Sequence, residues 1–154
     1  MLEKYQPVII NIFLILITIV FIPLLIVAAL IYYSWSLILS FTIWIVWGVQ
    51  GRHILFVYSD SPIWSDYIKR EILPRIPTTA IILNWSERKQ WKNSLAVLAF
   101  RLYGGGQNFN PMAIVFHPFR SHKVFRFYEA FKDFKHGKTE NLETIKMEFF
   151  SNCT

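Results

Sequence analysis

The sequence predicts an α/β domain with the element order βαβαββα, preceded by an N-terminal transmembrane helical hairpin. Two observations lead to this prediction. No Asp, Glu, Lys or Arg occurs from Tyr5 to Gly51, a run of 47 residues in a chain of 154. Beyond this run, short apolar segments typical of strands alternate with helix signals. We therefore expect a membrane anchor over residues 1–51 and a soluble domain over residues 52–154.

The uncharged run is too long for one upright crossing. As a single helix it would measure about 70 Å, whereas the hydrocarbon core of a bilayer is about 30 Å thick. We therefore expect two transmembrane helices, at about 8–32 and 36–50, joined near the aromatic and polar residues 32–36. Trp44 and Trp47 would then mark the second membrane interface. The alternative is one crossing followed by an interfacial helix whose tryptophans lie among the lipid headgroups.

Basic residues orient the anchor. Lys4 precedes the uncharged run, whereas Arg52, Lys69, Arg70 and Arg75 follow it. Cytoplasmic segments of membrane proteins carry an excess of Lys and Arg. The prediction is an integral membrane protein of the inner or plasma membrane type, with its soluble domain facing the cytoplasm.

Four segments of the soluble part have apolar or alternating patterns typical of strands. They cover residues 53–59, 79–85, 112–116 and 123–128. Helices between the first three strands predict parallel pairing, because a parallel pair needs a long crossover. The short turn over 117–122 predicts that the last two strands pair antiparallel.

Three helices are predicted between and after these strands. Ser61 can cap the first helix and Pro62 suits its first turn, so this helix runs to about Leu73. The second begins after Ser86 and ends at the glycines 104–106. Its apolar face has four residues at helical spacing. These are Trp91, Leu95, Leu98 and Leu102. The third helix covers 140–150, with Thr139 as a candidate cap.

Composition excludes several classes of protein. Hydrophobic residues make up 54% of the chain, which excludes intrinsic disorder. The single cysteine, Cys153, excludes an internal disulfide and a multi-cysteine metal site. The spacing of His117, His122 and His136 does not match that of metal ligands, so they are interpreted as surface residues. No metal and no cofactor are expected.

The net charge of +6 lies wholly in residues 52–154, in two basic groups. The first group is Arg88, Lys89 and Lys92, and the second is Arg120, Lys123 and Arg126. Each basic residue near an anionic membrane surface contributes about 1 kcal/mol of attraction. Aromatic residues interleaved with the second group could stack on bases, but no nucleic-acid-binding module is present. Membrane lipid is therefore the predicted partner of this basic patch, and nucleic acid is not.

Two short motifs resemble those of the thioredoxin-like superfamily. Residues 57–64, Val-Tyr-Ser-Asp-Ser-Pro-Ile-Trp, resemble the strand-to-helix junction of thioredoxins and glutaredoxins, where a Cys-x-x-Cys pair opens the first helix. Residues 110–116, Asn-Pro-Met-Ala-Ile-Val-Phe, resemble the segment in which a cis-proline precedes the third strand. The resemblance implies a thioredoxin-like fold over about 53–150. Ser61 and Trp64 replace the two cysteines, and neither supports thiol–disulfide exchange.

The resemblance also implies a groove between the first helix and the Pro111 loop that binds extended peptides or glutathione. Its predicted residues are Asp60, Ser61, Pro62, Trp64, Asn110 and Pro111. We expect a redox-inactive interaction or accessory module that holds a protein partner at the membrane, with an exposed Trp64 as its hot spot.

Other functions remain open at the level of sequence. One is a membrane-associated enzyme of a non-thiol class, a glutathione- or lipid-related transferase that uses Ser61 or Asn110 in the same groove. A catalytic set of Asp60 and Ser61 with His53 or His117 is a further hypothesis, against which simple helix capping is favoured. The membrane segment itself could also pack against a larger complex, with Asn11 and Thr18 bonding a neighbouring helix.

Overall fold

The computed structural model of the chain describes residues 6–105, 110–117 and 120–153. It is a mixed α/β structure with a four-stranded sheet and a long apolar N-terminal helix. The chain divides into two compact units, Met1–Ser40 and Phe41–Thr154. Three features used above lie outside the described residues: Lys4, Gly106, and Pro118–Phe119 in the predicted turn.

Helix α1 runs from Gln6 to Gly48, a length of 43 residues or about 64 Å. Its part Phe13–Gly48 is the one stretch of the described chain that is long and apolar enough to cross a membrane. Leucine, isoleucine, valine and phenylalanine dominate this stretch, and it contains no charged side chain.

This continuous helix replaces the hairpin predicted over about 8–32 and 36–50. Residues 32–36, where the bend was expected, contain neither glycine nor proline, and they remain helical. Pro23 lies inside the helix, as proline can in membrane helices. Thr18 Oγ1 donates to the carbonyl of Leu14 at 2.8 Å, so this hydroxyl bonds its own helix.

All four predicted strands are confirmed within their predicted ranges. They are β1 (Ile54–Tyr58), β2 (Ile81–Asn84), β3 (Met112–Val115) and β4 (Lys123–Arg126). The sheet has the order β2-β1-β3-β4, which places the two most buried strands at its centre. β1 and β2 are parallel, and β3 and β4 are antiparallel, both as predicted. The expectation that the first three strands share one direction was wrong, because β3 runs antiparallel to β1.

The predicted helix between β1 and β2 is present, although it is irregular. It begins as α2 (Ser65–Tyr67), continues as a π-helix over Ile68–Ile72 and ends as a 3₁₀ helix over Leu73–Arg75. Pro74 lies in that last turn, and the helix ends one residue after it, two residues beyond the predicted end near Leu73.

The single helix predicted after Ser86 was wrong. A 3₁₀ helix covers Trp85–Gln90, and α3 covers Leu95–Tyr103. The Ser94 hydroxyl caps α3 by accepting from the Val97 N–H at 3.4 Å. The buried residues of α3 also differ from the predicted face of Trp91, Leu95, Leu98 and Leu102. They are Ala96, Val97, Ala99 and Phe100. The rings of Trp85, Trp91 and Phe100 pack against one another, which requires the chain to turn between the two helices.

Two helices follow β4, so the element order ends in ββαα and not in the predicted ββα. The additional helix is α4 (Tyr128–Lys135), and the predicted final helix is α5 (Glu140–Ser151). Phe127 and Phe131 are both buried and lie four residues apart, which is helical spacing. Thr139 precedes α5, but its side chain does not cap it.

The core on one face of the sheet is strongly aromatic. Phe56 of β1 packs near Phe127 and Phe149, with ring centroids 6.1 Å apart in both pairs. The end of α1 packs into the same unit as the sheet, where Ile43 and Trp47 are buried. The Trp47 ring lies 5.4 Å from that of Phe116, centroid to centroid. Trp47 is therefore buried in the domain, and its ring is not the exposed interfacial side chain that was predicted.

Candidate partner-binding site

The strand pairing gathers the predicted groove residues at one end of the sheet. Val57, near the end of β1, pairs with Met112, at the start of β3. Tyr58 pairs with Asn84, at the end of β2. The loop after β1, residues 60–64, and the Asn110–Pro111 segment before β3 therefore leave the sheet on the same side.

Asp60 is held by a network of hydrogen bonds. Its Oδ2 accepts from Asn84 Nδ2 at 2.6 Å, and its Oδ1 accepts from Lys69 Nζ at 3.1 Å. Its backbone N–H donates to Ser86 Oγ at 2.9 Å. The hydrogen bond from Asn84 and the one from Lys69 lower the pKa of Asp60 below its ordinary value. Since both carboxylate oxygens are engaged, Asp60 fixes the loop and is not a free general base.

Ser61 lies before the turn that leads into α2. Its Oγ accepts from the Ile63 N–H at 3.4 Å, and its carbonyl accepts from the Ser65 N–H at 2.9 Å. Helix α2 starts at Ser65, its N-cap position is Trp64, and no side chain caps it. The prediction that Ser61 caps the first helix was therefore wrong, because its hydroxyl bonds within the turn that precedes the helix.

The two candidate histidine partners of Ser61 lie at the opposite end of the sheet. His53 precedes β1, and His117 follows β3, whose Val115 pairs with Ile54. The ring nitrogens of His53 lie 3.2 Å from the carbonyls of Gly51 and Cys153. The geometry therefore does not assemble a serine–histidine catalytic pair.

Trp64 is half-buried and not the exposed residue expected from the sequence. Its ring lies 5.8 Å from that of Phe131 and meets the ring of Tyr128 edge-on at 6.2 Å. Its Nε1 is buried and has no hydrogen-bond partner among the described residues. Trp64 consequently serves mainly to attach the loop to the aromatic core.

Asn110 and Pro111, which were predicted to line the other side of the groove, are both buried. The peptide bond between them is cis. The Pro111 carbonyl accepts from the Phe127 N–H at 2.9 Å, next to the Tyr128 that contacts Trp64. The side chain of Asn110 is 8% exposed, and both of its amide atoms lack a partner among the described residues. An unpaired buried amide costs about 1–3 kcal/mol. Asn110 and the Nε1 of Trp64 are thus both unsatisfied polar groups of the site.

The most exposed part of the site is Pro62 together with Ile63. Pro62 is exposed, and 53% of Ile63 is accessible to solvent. Sequence reasoning included Pro62 but missed Ile63, although it occupies the third position of the Ser-Pro-Ile-Trp motif. The sequence signal for an exposed Ile63 was its position, since it follows Ser61 and precedes a helix whose buried residues begin later in the chain.

The six residues of the basic patch fall into two groups at opposite edges of the sheet. Arg88 and Lys89 follow edge strand β2, whereas Lys123 and Arg126 lie on edge strand β4. Arg88 stacks over the Trp85 ring, with Cζ 5.0 Å from the centroid. Lys92 and Arg120 are exposed in connecting segments, and not on the helix expected for Lys92. Arg126 Nη2 donates to the Gly104 carbonyl at 3.4 Å, which ties β4 to the end of α3.

Two further residues with reactive side chains are partly buried. His122 lies against Tyr103, with ring centroids 4.3 Å apart, and burial lowers its pKa. Cys153 donates its thiol to the Phe149 carbonyl at 3.3 Å, and burial raises its pKa to about 11. Within residues 6–105, 110–117 and 120–153, no three His, Cys, Asp or Glu side chains are grouped as a metal site would require.

Comparison with known proteins finds no match. No protein-family model matches the chain, and no curated protein or solved structure is significantly similar to it. The site is therefore interpreted from its own geometry.

Proposed function

We propose that the chain is a membrane-anchored interaction or accessory module, with a redox-inactive thioredoxin-like domain that holds a protein partner at the membrane surface. The observation that carries the proposal is the exposed pair Pro62–Ile63, on a loop whose neighbours are fixed. Asp60 is tied to β2 and Trp64 to the aromatic core. A rigid, exposed apolar pair of this kind costs little ordering entropy when it binds a partner.

The thioredoxin-like interpretation is supported by the sheet. The parallel pairing of β1 with β2 and the antiparallel pairing of β3 with β4 agree with the element order that suggested the family, whereas the antiparallel pairing of β1 with β3 was not expected from it. Helix α4 is an addition to the element order from which the family was suggested.

The absence of redox activity is proposed from the residues at the motif. Ser61 and Trp64 occupy the two cysteine positions, and the thiol of Cys153 is largely protonated near neutral pH because of its raised pKa. Reduction of a glutathione mixed disulfide by the purified protein is the relevant assay. Turnover above that of Cys153→Ser would contradict this part of the proposal.

The membrane part of the proposal assigns α1 as the anchor. With one crossing, the N-terminus and the domain lie on opposite sides of the membrane. The excess of basic residues after α1 favours a cytoplasmic domain. The two basic groups would then attract anionic lipid headgroups.

The partner surface can be tested by site-specific photocrosslinking. A photoreactive amino acid replaces Ile63 in cells that express the full chain, and Ile82 serves as the control because it is similarly exposed, at 46%. The expected result is one dominant crosslinked protein from position 63 and none from position 82. The same crosslinks from both positions, or none from position 63, would contradict the proposal.

The unsatisfied amide of Asn110 favours a second candidate function, a non-thiol transferase that uses this side chain to position substrate. Glutathione is the first probe, since an amide-rich peptide matches the donor and acceptor of Asn110. Binding by calorimetry that is lost in Asn110→Ala, together with no crosslinked protein at position 63, would favour the enzyme.

A further inference from the structure

We propose that the last turns of α1 carry a second membrane-contact surface, in which Phe41, Ile45 and Val49 insert at the boundary between lipid headgroups and acyl chains. The domain would then touch the bilayer through its own structure and would not merely be tethered to it. The proposal rests on the proposed anchoring by α1.

The three side chains form one exposed apolar face. Phe41 is 62%, Ile45 44% and Val49 86% exposed. They are spaced four residues apart, which places them on one side of a helix. Val49 follows the last helical residue, but its N–H still donates to the Ile45 carbonyl at 3.3 Å and so keeps it in line.

The opposite side of the same helical turns is buried against the domain. Ile43 is 1% and Trp47 4% exposed, and Trp47 packs on Phe116. Apart from the partly buried Thr42, these turns carry no polar side chain, and one side of them is covered by the domain. A helix that is apolar on every side is typically surrounded by apolar material. The outer side thus needs an apolar partner of its own.

Lipid is the occupant that the length of the helix favours. The apolar stretch Phe13–Gly48 has 36 residues, or about 54 Å, of which an upright crossing of the hydrocarbon uses about 20 residues. At a tilt of about 40°, the upper end of the observed range, it spans about 41 Å, close to the full bilayer with its headgroup regions. Its C-terminal turns then lie at headgroup depth, and the first charged residue beyond them is Arg52.

The depth of single positions tests the proposal. In full-length protein carrying Cys153→Ser, a polarity-sensitive fluorophore is attached to one new cysteine at Leu25, Ile45, Val49 or Ile82. Vesicles of phosphatidylcholine and phosphatidylglycerol carry nitroxide quenchers either high or deep on the acyl chain. We expect strong quenching by the shallow nitroxide at positions 45 and 49, strong quenching by the deep nitroxide at position 25, and none at position 82.

The outcomes separate this inference from the anchoring on which it rests. Lipid exposure at position 25 with water exposure at positions 45 and 49 would overturn the second contact surface alone. Water exposure at position 25 would overturn the anchor and this inference with it. Equal quenching at positions 82 and 45 would contradict the proposal that lipid contacts the face of Phe41, Ile45 and Val49 specifically.

A charge substitution provides an independent check. Ile45→Asp should reduce shallow quenching at position 49 at least twofold, because a carboxylate resists transfer to the acyl boundary. Ile82→Asp is the matched control, since Ile82 and Ile45 are 46% and 44% exposed, and it should leave the quenching unchanged. Equal quenching in the Ile45→Asp protein, with its helical circular dichroism intact, would overturn the proposal.

Discussion

Asn84 Nδ2 donates a hydrogen bond of 2.6 Å to Asp60 Oδ2 and so joins the loop after β1 to the end of β2. Asn84 also orders the chain that follows it, because its Oδ1 accepts from the Ser86 N–H at 3.0 Å. Ser86 in turn accepts from the Asp60 N–H. These three residues form a closed set of hydrogen bonds that supports the exposed Pro62–Ile63 pair.

Asp60→Asn should lower the stability of the domain at neutral pH, because it removes the charge that attracts Lys69. The folded-state pKa of Asp60 is lowered, so its contribution is present above the unfolded-state pKa near 3.8 and is lost as pH falls through the folded-state value. The difference in urea midpoint between wild type and variant should therefore shrink below about pH 4. Asp66→Asn, an exposed carboxylate on α2, is the control. A difference that stays constant down to pH 2 would contradict this assignment.

Tyr67→Phe should destabilise the domain by about 2 kcal/mol, since it removes a hydrogen bond to a charged group. Lys146 Nζ donates to Tyr67 OH at 3.0 Å and to Glu143 Oε1 at 2.6 Å. Burial opposes the charged form of Lys146, but these hydrogen bonds outweigh it and raise its pKa.

The pH dependence of this effect follows from the raised pKa of Lys146. The stabilisation is fully present below the unfolded-state pKa near 10.5 and is lost as pH rises through the folded-state value. Urea unfolding at pH 8 should show the full effect of Tyr67→Phe, and the effect should decrease above about pH 10.5. Tyr128→Phe, another half-buried tyrosine, is the control. Equal losses in the two variants at pH 8 would show that the bond to Lys146 adds nothing.

Cys153 should react slowly with maleimides in the folded protein. Burial raises its pKa to about 11, so only a small fraction is thiolate near pH 7.5, and the rate should rise roughly tenfold per pH unit. A single cysteine at exposed Lys138, in a Cys153→Ser background, provides the comparison at the same pH. Labelling of Cys153 at the rate of Lys138→Cys would show that its thiol is accessible. A topology experiment is better performed with position 138 for the same reason.

The strands were predictable because each is a short apolar run bounded by turn residues, and such a run is compatible with few other secondary structures. The helices were less predictable, because tertiary contacts decide their ends. Ser86 and Ser94 are both good caps, but the Ser86 hydroxyl accepts from the distant Asp60 N–H, whereas the Ser94 hydroxyl caps α3. The buried, unpaired amide of Asn110 depends on distant chain segments, so no local pattern could reveal it.

The dependence of helix ends on tertiary contacts also explains why α4 was not predicted. Phe125 and Phe127 alternate with charged and polar residues, which favoured an extended strand, whereas Phe127 and Phe131 have helical spacing. At the residues where β4 ends and α4 begins, the sequence therefore has both the alternation of a strand and the spacing of a helix. The Phe127 N–H donates to the Pro111 carbonyl, whereas the Phe127 carbonyl accepts from the Phe131 N–H, so the change from strand to helix falls at Phe127.

Trp64 provides the sharpest test of the site, because its ring and its N–H have different roles. The ring packs on Phe131 and Tyr128, whereas Nε1 is buried without a partner in the described chain. Trp64→Ala should cost about 2–3 kcal/mol of unfolding free energy, below the usual range for fully buried tryptophan since the residue is half-buried. Trp64→Phe keeps an aromatic ring and removes an unpaired donor, so its cost should be under about 1 kcal/mol.

These two variants also separate stability from binding in the crosslinking experiment at position 63. If Trp64 only supports the loop, Trp64→Phe should retain the crosslinked partner and Trp64→Ala should lose it in proportion to unfolding. If the partner supplies an acceptor to Nε1, Trp64→Phe should lose the crosslink while its unfolding free energy stays near that of wild type. We expect the first result, because the loop presents Ile63 and not Trp64 to solvent. The second result would assign Trp64 to the binding surface and would contradict the supporting role derived from its packing.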